Sequence, residues 1–266
     1  MTRVAVLLSL GKHPASGRSR RAGLDARALE LALDLARGMP DAEVRAVHAG
    51  DPANEALRDY LGMGIETLDV LDVAPGHDPV SALAGFLRAG RFDLVLCGMR
   101  AEAGEGSGMV PYLIAETLEY AVVCDAAAIA CAEVGARVVQ ALPRGRRREV
   151  TVVLPAVVAV NAAAYPARAP AFARSRRGRI AVHPAKVCED AYLAACETRP
   201  WRALPKRMAL ASGVSAAERM KALTEVKAGE GHLLVHPSPE DAAKAIYDYL
   251  IEKRILQARG SKEEGG

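Results

Sequence analysis

Short aliphatic runs alternate with segments of helical period through the first half of the chain, and few folds can absorb that pattern. Val4-Ala-Val-Leu-Leu8 contains no polar residue, so it suits a strand buried on both faces. A polar, arginine-rich loop is expected from Gly11 to Gly23. Asp25 then stands where it can cap a helix with apolar positions at Leu29, Leu33 and Ala36, and Gly38-Met-Pro40 stops it. Residues 43–48 read as the next strand and Gly50-Asp-Pro52 as its turn. A helix over residues 53–61 ends at Gly62 and Gly64. The unit repeats, with a strand at residues 67–71 and a helix at 78–89. That helix is capped by Asp78, carries Pro79 in its first turn and is closed by Gly90. Asp93-Leu-Val-Leu-Cys97 is another buried strand, and a glycine-rich loop leads from it into a helix that ends near Leu118. Strands alternating with single helices build right-handed βαβ units, hence a parallel sheet with helices on both faces.

After Tyr120 the period changes. Residues 126–132, 137–142, 149–153 and 156–160 read as successive short strands. Turns at Glu133-Val-Gly135 and Pro143-Arg-Gly145 predict hairpins among the first three. From Asn161 to Pro205 the chain reads as irregular and rich in Pro, Ala and Arg. One further helix is expected over residues 239–254 with Ser238 as its cap, and residues 260–266 read as a disordered tail.

Composition bounds the function classes. Aromatic residues make up 4% of the 266 residues, so the core must be aliphatic, and a net charge of +3 is too small to imply nucleic-acid binding. Cys97, Cys124, Cys131, Cys188 and Cys196 are odd in number and form no CxxC pair, which argues against both a disulfide framework and a zinc cluster. The histidines form no HExxH, and no nucleophile–base–orienter trio can be assembled from spacing. The apolar runs are broken by charge or Pro before they could span a bilayer, and no leader pattern precedes the first strand. The expectation is a soluble protein of a reducing, cytoplasmic setting.

Several segments, in order, resemble the electron-transfer flavoprotein β family. They are Leu24-Asp-Ala-Arg-Ala-Leu-Glu-Leu-Ala-Leu33, Asn54-Glu-Ala-Leu-Arg58 with Leu61-Gly-Met-Gly64, and Asp93-Leu-Val-Leu-Cys-Gly98 with Ser107-Gly108. Leu154-Pro-Ala-Val-Val158 and Pro205-Lys-Arg207 complete the series. The resemblance spans about residues 3–210, with a looser match in the last helix. It implies a three-layer, open parallel sheet of the adenine-nucleotide α-hydrolase-like kind, with a β-hairpin region and an extended C-terminal arm. Residues 1–185 would be the α/β nucleotide-binding core, and residues 186–266 an arm and helix docking on a partner.

The implied function is that of an electron carrier without an active site of its own. Its partner would be an α subunit that holds most of the FAD, and the pair would pass electrons from a flavin-linked dehydrogenase to a membrane quinone oxidoreductase. Many members also hold AMP in the β subunit. Carried over by position, the AMP site comprises Leu7, Ser9, Ala49 and Gly50 at two strand ends, and Arg100, Gly106, Ser107, Gly108 and Met109 at the loop.

The loop has a physical case of its own. Glycines allow backbone N–H groups to approach a phosphate, and the following helix adds favourable partial charge. An ordinary glycine-rich βα turn has the same pattern. The loop is about two residues shorter than the family's, and Ala22-Gly-Leu-Asp-Ala26 replaces an Asn-Pro-Phe-x-Glu element that helps enclose AMP. Glu102 and Glu105 would repel a phosphate unless turned away, so an altered pocket is expected. His48 reads as a satisfied polar residue, and the cysteines as inert.

The resemblance places dehydrogenase recognition between Asn161 and Arg179. The family's L-N-E-P-R-Y stands here as Asn161-Ala-Ala-Ala-Tyr165-Pro166, and Arg168, Arg174, Arg176, Arg177 and Arg179 follow. A non-standard donor docked partly through charge is therefore expected, a dehydrogenase of methylated amines being one candidate. The residues from Lys186 to Ala211, with Trp201, are the expected arm. Two other readings share the sheet and loop: a stand-alone adenine-nucleotide-binding domain, and a structural paralogue without nucleotide.

Overall fold

The computed structural model describes residues 2–39, 41–132, 134–185, 187, 189–190, 194–197, 199, 215–217, 220 and 234–252. Two compact units divide the chain, Met1–Thr198 and Arg199–Gly266.

In the first unit the strands are β1 (Arg3–Leu8), β2 (Leu10–Lys12), β3 (Ser19–Arg21), β4 (Glu43–Gly50), β5 (Thr67–Asp72) and β6 (Leu94–Gly98). They continue with β7 (Ala121–Cys131), β8 (Ala136–Ala141), β9 (Arg147–Val152), β10 (Ala156–Val160) and β11 (Arg179–Pro184). The helices are α1 (Gly23–Arg37), α2 (Arg58–Leu61, entered by a 3-10 turn at Glu55–Leu57), α3 (Pro79–Gly90), α4 (Val110–Leu118) and α5 (Phe172–Arg177).

One sheet takes nine of the strands in the order β11-β5-β4-β1-β6-β10-β7-β8-β9. From β11 to β7 every neighbouring pair is parallel, while β8 and β9 are added antiparallel. Alternation along the strands splits the core in two. Val4, Val6, Leu8, Leu94, Leu96 and Val158 face α1 and α2, with Leu29, Leu57, Tyr60 and Leu61 opposite them. Ala5, Leu7, Val47, Val95 and Val157 face the other way, against Leu83 and Leu87 of α3 and Ile114 of α4. Both faces of β1, β6 and β10 are thus covered, which is why those strands carry apolar runs. The layers are the three expected.

Several local expectations are corrected. The stretch between Gly11 and Gly23 is no plain loop, because β2 and β3 pair antiparallel there. Asp25 is not a cap: the N-cap of α1 is Ala22, whose side chain makes no capping bond. Asp78 does cap α3, accepting from the Val80 N–H at 2.9 Å. That helix closes at Arg91, with φ 49°, rather than at Gly90. Strand β7 begins at Ala121, five residues before the expected start. Asp125, at φ 56°, and a register shift between Ala126 and Ala128 mark a bulge that bends β7 as the hairpin region begins. The segment after Asn161 is not irregular throughout. It holds α5 and then β11, which pairs with β5 and forms the sheet edge.

In the second unit, α6 (Pro239–Glu252) is entered as expected: the Ser238 Oγ accepts from the Asp241 N–H at 3.2 Å. Most of the expected arm from Lys186 to Ala211, Trp201 included, and residues 260–266 lie outside the described residues.

Candidate functional site

A parallel sheet leaves its crevice at the carboxyl ends of the strands. Here a cavity of about 640 Å³ opens where β1, β4 and β6 end, inside the 300–1,000 Å³ span usual for small-ligand sites. Leu7, Ser9 and Ala49 line it from the strand ends; Arg100, Gly106, Ser107, Gly108 and Met109 line it from the loop. Eight of the nine residues named from the sequence therefore meet around one space. Gly50 is the exception. A Cβ there would come within 2.6 Å of the His48 ring, so Gly50 makes room for a packed histidine instead.

His48 is satisfied as expected. Its Nδ1 lies 2.8 Å from the Leu8 carbonyl, which can only accept, so that nitrogen carries the hydrogen. Burial lowers the imidazole's proton affinity below the ordinary value.

The floor of the cavity is organised by Asp25, whose role the sequence did not disclose. Its Oδ2 accepts from the Ser9 N–H at 2.7 Å and from the Ser9 hydroxyl at 2.5 Å. Its Oδ1 accepts from the Gly98 N–H at 2.7 Å. One buried carboxylate thus ties the start of α1 to the ends of β1 and β6. Burial pushes the carboxyl's pKa up, and those hydrogen bonds oppose the shift. Gly98 is required by this approach: a Cβ would stand 2.6 Å from the Asp25 Oδ1. Ser9 spends its hydroxyl and its N–H on Asp25, and its carbonyl accepts from the Tyr60 hydroxyl at 2.7 Å. Ser9 therefore shapes the cavity through its backbone position rather than by offering a hydroxyl. Cys97 also lines the space, and burial raises its thiol far above the ordinary value, so no thiolate forms there.

The loop turns three times through positive φ, at Gly104 (74°), Gly106 (60°) and Gly108 (76°). At Gly108 a Cβ would also meet the Met99 carbonyl at 2.9 Å. The nine-residue helix α4 starts directly after, with no side chain capping its first turn. Of the N–H groups in its first turn only that of Val110 is left for a ligand or for water, since Pro111 has none and Tyr112 donates to the Met109 carbonyl at 3.0 Å. Arg100 is exposed beside them, with no carboxylate in ion-pair distance among the described residues.

Glu102 is turned away from the space. Its Oε1 accepts from the Gly23 N–H at 2.6 Å, and its Oε2 meets the Arg20 guanidinium at 2.8 Å. It supplies the capping that Ala22 cannot give α1, from 79 residues away along the chain. One of the two feared repulsions is therefore absent. Glu105 does line the cavity.

The segment after β10 forms a second surface. Asn161 Nδ2 donates to Asp125 at 2.7 Å, and the Tyr165 hydroxyl donates to Asp34. Arg168 reaches the buried Glu30 carboxylate with Nε at 2.7 Å and Nη2 at 2.5 Å. That guanidinium holds the Glu30 carboxyl below its ordinary pKa, against the effect of burial. Beyond this clamp, α5 presents Phe172 at 80% exposure, with Arg174, Arg176 and Arg177 also exposed. Among the described residues no group of His, Cys, Asp and Glu is placed to hold a metal, and no helix is long and apolar enough to cross a membrane.

A model of the family described as electron transfer flavoprotein domain matches residues 19–187. A curated relative, the electron transfer flavoprotein subunit beta of Chromohalobacter salexigens, is 42% identical over 259 residues, covering 96% of each chain.

Proposed function

This chain belongs to the electron transfer flavoprotein family, as a β-type member, and from that premise we propose that it is one half of a heterodimeric electron carrier. An α subunit would hold most of an FAD. The pair would take electrons from a flavin-linked dehydrogenase and deliver them to a membrane quinone oxidoreductase of the respiratory chain. In this reading the chain is a cytoplasmic binding partner and not itself a catalyst. Residues 1–185 serve as the nucleotide-type core, and residues 186–266 dock on the α subunit.

The observation that carries the reading is the cavity at the ends of β1, β4 and β6, closed by a glycine loop that feeds a helix N-terminus. We assign it to an adenine nucleotide, AMP. The residues present suit that group. The backbone N–H groups at Gly106, Ser107 and Gly108 would take the phosphate, Met109 would line the space beside them, and Arg100 would add positive charge. Leu7 and Ala49 would pack against the base. Glu105 weakens the phosphate end by repulsion, and the short loop reduces enclosure. A structural paralogue without nucleotide would need the same cavity to serve no ligand, which a space of this size and lining does not favour.

Docking of the donor would use the segment from Asn161 to Arg179, where clamped Arg168 sets the backbone and Phe172 with Arg174, Arg176 and Arg177 forms the contact. The missing L-N-E-P-R-Y pattern supports a specialised donor, and a dehydrogenase of methylated amines fits that description.

The test is an absorption spectrum of the chain purified alone and after co-expression with an α subunit. Flavin absorbance only in the co-purified pair, at one flavin per pair, is the expected result. A chain that remains colourless and unpaired in both preparations contradicts it.

A further inference from the structure

Four of the five residues from Arg144 to Arg148 are arginines, spanning the turn between β8 and β9 and the first two residues of β9. The turn is closed by the Leu142 N–H donating to the Arg146 carbonyl at 2.9 Å, with Arg144 at φ 60°. Its base is rigid. Arg148 donates twice to the Gln140 Oε1, at 2.9 and 2.7 Å, and the buried Gln140 donates to the Cys124 carbonyl at 2.7 Å. Glu149, the acidic residue next in sequence, faces Arg137 across the hairpin at 3.9 Å.

Arg144, Arg146 and Arg147 have no carboxylate within ion-pair distance among the described residues, and all three are exposed. They border neither the nucleotide cavity nor the groove of about 300 Å³ beside α1. The turn is therefore a concentration of exposed positive charge, flanked in sequence by Leu142 and Pro143. A protein partner would ordinarily anchor on an aromatic or aliphatic side chain buried in a socket. The three exposed side chains here are all guanidinium groups. What suits them is a flat, delocalised array of phosphates, which planar guanidinium groups grip in pairs.

We propose that the β8–β9 turn is a docking site for an anionic membrane surface, with Arg144, Arg146 and Arg147 taking the phosphates of lipid headgroups. The association is peripheral and electrostatic, so it weakens as salt rises. It needs no flavin and no nucleotide, and it holds whether or not the carrier reading is right.

The experiment is flotation of the full chain, alone and paired with an α subunit, on two vesicle types. One is phosphatidylcholine only, and the other is phosphatidylcholine mixed with phosphatidylglycerol. Binding is expected to the mixed vesicles alone, at low salt and not at high salt. The combined R144Q, R146Q and R147Q variant should bind roughly a hundredfold more weakly, each arginine near an anionic surface contributing about a kcal/mol. Its melting temperature should be unchanged, because the three side chains are exposed. Equal weakening by neutralising Arg174, Arg176 and Arg177 instead would overturn the assignment to this turn. So would unchanged vesicle binding in the triple variant together with weaker recovery of the α subunit, which would make the turn a protein contact.

Discussion

Strand β10, inside the parallel array, is buried at all five positions, whereas β9, at the far edge, is buried only at Val152. The same contrast runs through the two regions around them. The central parallel strands are covered by α1 and α2 on one face and by α3 and α4 on the other, and β1, β4 and β6 end together at one crevice. The β7–β8–β9 hairpins bury Ala136, Val138 and Val152 toward the α1 side and leave Arg137, Arg147 and Glu149 outside. Full coverage yields a rigid frame that can hold a small ligand where strands and loops converge. Half coverage yields a surface whose charge can change without disturbing the frame. The second region carries a basic turn at Arg144–Arg148, while Asp25, Gly98 and the loop glycines organise the first.

The largest effect should come from the frame itself. Leu96→Ala removes a fully buried side chain facing α1 and should cost about 2–5 kcal/mol in urea unfolding. Val150→Ala, on half-buried β9, should cost about 1 kcal/mol or less. Equal losses would break the contrast.

Next comes Asp25→Asn. An amide cannot accept from the Ser9 N–H, the Ser9 hydroxyl and the Gly98 N–H together, so about 1–3 kcal/mol should be lost. Loss of nucleotide should accompany it, since both strand ends border the cavity. A variant as stable as the parent would show that Asp25 does not tie the strand ends.

Glu30→Gln tests the clamp that holds the Asn161–Arg179 segment on α1. The Glu30 carboxyl is depressed in the fold, so as pH falls the unfolded chain takes up its proton first. The clamp's contribution is complete above about pH 4.3 and is lost as pH falls through the lower folded value. Unfolding midpoints across that range should therefore decline less steeply in Glu30→Gln, which should also be about 1–2 kcal/mol less stable at neutral pH. Identical slopes would remove the clamp from the account.

The smallest effect on stability, within about 0.5 kcal/mol per site, is expected from reversing Arg174, Arg176 and Arg177 to Glu. Their effect should fall on function: electron acceptance slowed at low salt, with the rates converging as salt rises. A rate indifferent to these changes would detach α5 from donor docking.

Legibility in the sequence followed the same division. Val4–Leu8 and Leu94–Cys97 show the frame because strands buried on both faces need no polar residue. The loop glycines were visible because tight turns and close backbone approach leave few alternatives. Asp25 was misread because its partners, Ser9 and Gly98, are distant along the chain, and local spacing displays only a capping residue. Glu102 was read as a hazard to phosphate for the same reason, since its partner Gly23 lies 79 residues away. Strand β11 was missed because Arg-Ile-Ala-Val-His-Pro follows a stretch rich in arginine and proline, and its pairing partner β5 lies more than a hundred residues earlier. The β2–β3 hairpin is too short and too polar to show a period of two.

The most direct test of the account is the small-molecule content of the natively purified pair. Protein denatured and extracted should release flavin and, in comparable amount, an adenine nucleotide from the cavity of this chain. In Gly108→Val, where a side chain would meet the Met99 carbonyl, the nucleotide should be lost while flavin remains. A wild-type pair that carries its flavin but releases no adenine nucleotide would contradict the assignment of the cavity.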